Sequence, residues 1–168
     1  MKIISFLIII PVFIISGCGQ QDVKDKILVN RFIDSIIKKS DSSYEKAYYR
    51  SDFVTAQYHV NKKDSTLCQL MKDSAGNIRQ VIITKKDTRI FYGFYYKNGQ
   101  IQADLPLDTF GKYHGTGKFY YEDGSLQSTG NYQHGFKTGA WKLYNEKGKE
   151  TATDSFDQNG NLMPQKMP

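Results

Sequence analysis

The spacing of apolar residues changes part-way along the chain. Val23, Ile27, Leu28, Phe32, Ile36 and Ile37 recur at helical intervals with Lys, Asp and Asn between them, which sets one apolar stripe on an α-helix. This predicts an amphipathic helix ending near Ser40-Asp41. Further on the period shortens: Phe53 to Val60, Ser65 to Met71 and Ile78 to Thr84 read as strands, being rich in β-branched and aromatic residues. Asp41 to Arg50 reads as either a short helix or a loop. Ile90-Phe91-Tyr92 with Phe94-Tyr95-Tyr96, then Phe119-Tyr120-Tyr121, then Trp141-Lys142-Leu143-Tyr144 continue the strand series. Successive strand side chains point to opposite faces, so Phe119 shares a face with Tyr121, and Lys118 with Tyr120. Both faces therefore carry aromatic surface.

The second half is repetitive. GKYHGTGKFYYEDG, from Gly111 to Gly124, returns after 24 residues as GFKTGAWKLYNEKG, from Gly135 to Gly148, with six positions identical. A fixed period of this size marks an array whose units cover one another's apolar faces. Weaker copies carry the turn glycine to Gly76, Gly99, Gly124, Gly148 and Gly160. Asn-Gly and Asp-Gly between strand-like runs predict hairpins with type I′ turns, which need positive φ at both central residues.

These glycine-aromatic units resemble the second variant of the MORN-type repeat. Gly139 through Gly148 fits that pattern well, and Gly115 through Leu126 fits except that Gly117 stands where Trp141 stands in the next copy. Ile90 through Ile101 fits in its second half, and Leu67 through Val81 only loosely. The resemblance covers roughly residues 90 to 162 and implies a mainly β fold, a meander of β-hairpin repeats in an extended open sheet; the apolar stripe read above places one N-terminal amphipathic helix before it, as a cap on the first hairpins. Bacterial proteins with such repeats are described as antitoxin-like, and the resemblance brings no catalytic residues.

The N-terminus sets the expected compartment. Lys2 precedes an almost unbroken apolar stretch, Ile3 to Ile15, followed by Ser16-Gly17-Cys18. A basic start and a short apolar region make a secretory signal, since a membrane span needs about 20 apolar residues. Small residues before a cysteine resemble the lipobox of bacterial lipoproteins. That likeness implies cleavage after Gly17, lipid attachment at Cys18 and, with Gly19 rather than Asp next, retention at the outer membrane. Acyl chains contribute about 0.8 kcal/mol per buried methylene, so several chains hold a domain at a surface. The expected organisation is a signal peptide over 1–17, a lipidated tether and capping helix over 18–42, a β-rich lead-in of degenerate repeats over 43–88, the hairpin repeats over 89–163 and a tail over 164–168.

Charge and cysteines narrow the class. Without residues 1–17 the chain has 22 basic and 17 acidic residues, scattered with no long basic run, which argues for solvated surface and against nucleic acid. If Cys18 is acylated, Cys68 has no intramolecular partner. It lies in the apolar run Leu67-Cys68-Gln69-Leu70-Met71, where a buried, inert thiol is expected.

No nucleophile elbow, Walker loop, dinucleotide fingerprint or metal-ligand spacing is present. Under the 24-residue period His114 aligns with Thr138, and His134 with Phe110. The two histidines thus read as separate turn residues, and neither a metal nor a cofactor is expected. Tyr95, Tyr120, Trp141 and Tyr144 are the interface candidates, because large aromatics carry most binding energy at protein surfaces. The sequence thus points to a lipid-anchored, non-enzymatic envelope protein whose repeats bind another protein. A toxin-neutralising immunity protein and a glycan- or lipid-binding protein are the alternatives.

Overall fold

The computed structural model describes residues 31–50 and 53–164. Cys18 and the leader, the helix positions Val23, Ile27 and Leu28, and residues 165–168 lie outside them. One helix, α1 (31–38), precedes ten strands. These are β1 (Ser42–Arg50), β2 (Phe53–Asn61), β3 (Thr66–Lys72), β4 (Ile78–Lys85), β5 (Thr88–Tyr95), β6 (Ile101–Pro106), β7 (Gly115–Tyr120), β8 (Leu126–Gln133), β9 (Phe136–Tyr144) and β10 (Glu150–Phe156). They form a single antiparallel sheet in strict chain order, β1 to β10. Among the described residues no helix is long and apolar enough to cross a membrane.

The segment read as a short helix or a loop is strand β1. It pairs with β2 from Ser42↔Val60 to Ala47↔Thr55, and the Tyr44 and Tyr58 rings stack at 4.9 Å. The alternation of Tyr44, Lys46 and Tyr48 becomes decisive only once a partner strand lies alongside.

The glycine turns differ from the expected type. Asp73, Tyr96, Tyr121 and Asn145 each accept, through the main-chain carbonyl, the N–H of the glycine three residues on, at 2.8–3.0 Å. Each also donates its own N–H to the carbonyl of the residue after that glycine. Only the glycines, at φ +72 to +83 or +87°, take positive φ; Ala75, Asn98, Asp123 and Lys147 do not. This is a type I turn closed by one left-handed residue, the three-residue hairpin loop. Type I′ geometry occurs at the other end of the sheet, at Lys86–Asp87 (φ 47 and 63°) and His134–Gly135 (φ 49 and 95°). Three residues beyond each turn glycine, at Arg79, Gln102, Gln127 and Thr151, the ladder skips one residue. Turn and bulge thus recur from β3 to β10.

Neighbouring hairpins are also tied directly. Tyr96 Oη donates to the Tyr120 carbonyl and Tyr121 Oη to the Tyr144 carbonyl, both at 2.8 Å, while Asn98 Nδ2 donates to the Glu122 carbonyl at 2.8 Å. In the last hairpin the equivalent position is Asn145, whose Oδ1 instead accepts the N–H groups of Lys147 and Lys149 in its own turn.

The main core lies on one face of the sheet, under α1. Cys68, Leu70, Val81, Ile83, Phe91, Tyr95, Ile101, Tyr120 and Leu126 gather there with Ile33 of the helix, and Ile36 and Ile37 pack against them. Phe32 meets Phe91 edge-on at 6.0 Å. Toward the C-terminal strands the register on this face runs through Asp104↔Lys118, Lys118↔Thr129, Thr129↔Lys142 and Lys142↔Thr153, a polar row.

Candidate binding face and metal-ligand cluster

The opposite face carries a second, aromatic cluster. Strand parity places Tyr92 and Phe94 of β5, Phe119 of β7, Tyr132 of β8, Trp141 of β9 and Phe156 of β10 on it. Trp141 is its centre: Phe119 lies at 6.1 Å, Tyr132 edge-on at 5.0 Å and Phe156 edge-on at 6.5 Å. Tyr113 and Tyr132 extend the band at 5.3 Å, and Tyr92 and Phe94 pack at 6.1 Å. Burial raises the pKa of the Tyr132 phenol, with the Tyr113 phenol adding to it.

Glycines admit these rings. A Cβ on Gly130 would fall 2.4 Å from Trp141 Cδ2, and one on Gly117 would fall 2.8 Å from Tyr132 Cε2. Gly117 and Gly130 face each other across β7 and β8. That explains the departure of Gly117 from the repeat pattern: the space a tryptophan would need is filled by Tyr132 and Leu105.

Three of the four sequence-selected aromatics belong to the interior. Trp141 and Tyr120 are each 1% exposed and Tyr95 is 8% exposed. Tyr95 and Tyr120 point to the helix side, and Trp141 is roofed by its neighbours. Tyr144 is half-buried on the helix side, packed against the main core. Around Trp141 the rings that reach the surface are the half-buried Tyr92, Phe94, Tyr113, Phe119, Tyr132 and Phe156, while the most exposed aromatics, Phe110 and Phe136, lie outside this cluster. Alternation implies two faces; which residues are left accessible depends on where α1 docks and which rings lie flat on glycines. No described element packs over the aromatic band. Charged groups border it: Lys137 Nζ sits 4.2 Å from the Trp141 ring and 5.4 Å from Phe156, Arg89 donates to Tyr92 Oη at 3.0 Å, and Asp154 pairs with Trp141 across β9 and β10.

On the other side an apolar cleft of about 500 Å³ lies between α1 and the sheet, lined by Ile33, Ile37, Leu70, Ile78, Val81 and Tyr95 among others. Cys68 is fully buried beneath the helix, and burial pushes its thiol up to about 12.

The two histidines read as separate come together. His114 precedes β7 in the β6–β7 connection and His134 lies in the β8–β9 turn, and in a meander these connections are neighbours at the same sheet end. Their ring centroids are 5.0 Å apart. Asp108, at the start of a turn built like the glycine turns, places Oδ2 2.8 Å from His134 Nδ1. One ligand atom from each of Asp108, His114 and His134 falls within 4.8 Å of the others. Burial pushes the Asp108 carboxyl up, but the Lys112 N–H, the His134 imidazole and the Phe110 N–H together hold it below the usual carboxylate value. Asp108 heads the run Asp108-Thr109-Phe110-Gly111, the same Asp-to-glycine spacing as Asp73 to Gly76 and Asp157 to Gly160; that spacing was the available signal.

The chain matches no model of a known protein family, and no curated protein is similar to it. Fold and sites together define a single-layer antiparallel meander of glycine-turn hairpins, helix-covered on one face and aromatic on the other.

Proposed function

We propose that this chain is a lipid-anchored envelope protein, tethered through Cys18, whose MORN-like hairpin sheet binds a protein partner on the aromatic face. The observation that carries this reading is the band from Tyr92 through Tyr113, Tyr132 and Trp141 to Phe156, uncovered by any described element. Aromatic side chains bury large areas at small entropic cost, and clusters of this kind make the centre of protein interfaces. Arg89 and Lys137 beside it favour a partner segment with apolar side chains flanked by carboxylates. The scaffold would hold its face by rigid hairpin stacking, and the lipid would fix it at the membrane.

A photo-reactive residue tests this directly when placed at position 137 in one strain and at position 39, on the helix side, in another. A discrete protein adduct from position 137 alone is expected in intact cells. Adducts from position 39 alone, or from neither position, would refute the assignment of the face.

A further inference from the structure

We propose that Asp108, His114 and His134 form a binding site for a divalent first-row transition cation, with Zn²⁺ the best match to the donor set. Two imidazole nitrogens and one carboxylate oxygen are the ligands such ions take from proteins. The chain has only three histidines, and this end of the sheet brings two of them beside a carboxylate.

The cluster is held by its backbone. Asp108 Oδ1 accepts the N–H groups of Phe110 at 2.9 Å and Lys112 at 3.0 Å, which orients Oδ2 toward His134. The His114 N–H donates to the Pro106 carbonyl at 3.0 Å. His134 sits in a two-residue turn whose Gly135 N–H donates to the Tyr113 carbonyl at 2.8 Å, so the turn is bonded to the residue preceding His114. Three connected turns therefore present the three donors.

The distances suit closure around an ion. Tetrahedral Zn²⁺ with bonds of about 2.0–2.1 Å sets its donors roughly 3.3 Å apart. The Asp108–His134 pair, at 2.8 Å, is already inside that separation, and the cluster's outer limit of 4.8 Å is closed by rotating the exposed imidazoles. A histidine coordinates through the unprotonated nitrogen of a neutral imidazole, so His134 carries its ring proton on Nε2 when Nδ1, the nitrogen beside Asp108, is the ligand. Three protein ligands leave a fourth position for water, and both histidines are solvent-exposed.

The test uses the full chain carrying Cys18→Ser, purified in detergent, so that no second accessible thiol competes. Zn²⁺ is titrated calorimetrically and against a chromophoric chelator near pH 7.5. The expected result is one ion per chain, with affinity falling more than about tenfold in each of His114→Ala and His134→Ala. His59→Ala should bind as the parent does, and Zn²⁺ should raise the melting temperature of the parent but not of the double histidine variant. Circular dichroism of the metal-free variants is compared with that of the parent, and His134→Asn, which accepts the positive φ at this turn, stands beside His134→Ala. No stoichiometric binding by the parent, or equal binding by the double variant, would overturn the proposal.

Discussion

The indole of Trp141 lies flat against the backbone of Gly130, so close that a Cβ at residue 130 would sit 2.4 Å from Cδ2 and 2.5 Å from both Cε2 and Cγ. The indole Nε1–H donates to the Asn131 carbonyl at 3.2 Å, which fixes the ring over this glycine. The most buried large side chain of the aromatic face thus depends on the absence of a side chain on the adjoining strand.

Gly130→Ala forces Trp141 out of place, an overpacking change that costs about 1–3 kcal/mol or more. Gly99→Ala meets nothing within 4 Å and costs only through its φ of +80°, about 1 kcal/mol. Urea denaturation should place Gly130→Ala as the less stable of the two, with reduced or red-shifted Trp141 fluorescence; an unaltered emission spectrum in that variant would contradict the packing described.

The hydroxyls of Tyr96 and Tyr121 tie successive hairpins. Tyr96→Phe and Tyr121→Phe each remove one such bond without changing shape. Each should lower stability by about 0.5–1.5 kcal/mol. Asn145, which ends the series, makes its bonds within its own turn. Equal stability of parent and both variants in denaturant titrations would show that the ties are dispensable.

Burial lifts the Cys68 thiol to about 12, against about 8.5 in an unfolded chain. The folded state thus favours the neutral thiol, and this contribution is complete below pH of about 8.5 and lost progressively as pH rises toward 12. Native protein should resist alkylation at pH 8 and react on unfolding, and Cys68→Ala should show a shallower loss of stability in alkali. Rapid alkylation of the folded chain would place Cys68 at an opening in the core.

The proposed lipid attachment at Cys18 gives a separate prediction. With Cys18→Ser, a labelled fatty acid should no longer be incorporated, and the chain should no longer be processed after Gly17. Unchanged labelling in that variant would remove lipid attachment at Cys18 from the account.

Much of the fold was readable because the strand signals are local. Alternation in Phe53 to Val60 and the glycine spacing placed hairpins where β2 and the later turns lie. The turn type was not readable: Asn98-Gly99 serves a two-residue loop or a three-residue one, and only the cross-strand register, with its skip at Gln102, separates them. Strand β1 was ambiguous because its pattern needs β2 beside it. The face was not readable, and Tyr95 and Tyr120, named as interface candidates, are core residues because α1 covers their side of the sheet, a tertiary choice that no alternation encodes. His114 and His134 were separated by aligning repeats, whereas adjacency at a sheet end follows the order of the connections.

The measurement that tests the central claim most directly is affinity capture from native envelope with the full chain carrying Cys18→Ser, beside the same chain with Tyr92→Ala and Lys137→Glu and a third with Lys39→Glu. The account predicts one partner retained by the parent and by Lys39→Glu and lost from the Tyr92→Ala/Lys137→Glu chain, with all three equally stable. A partner retained by the face variant, or lost only with Lys39→Glu, would contradict it.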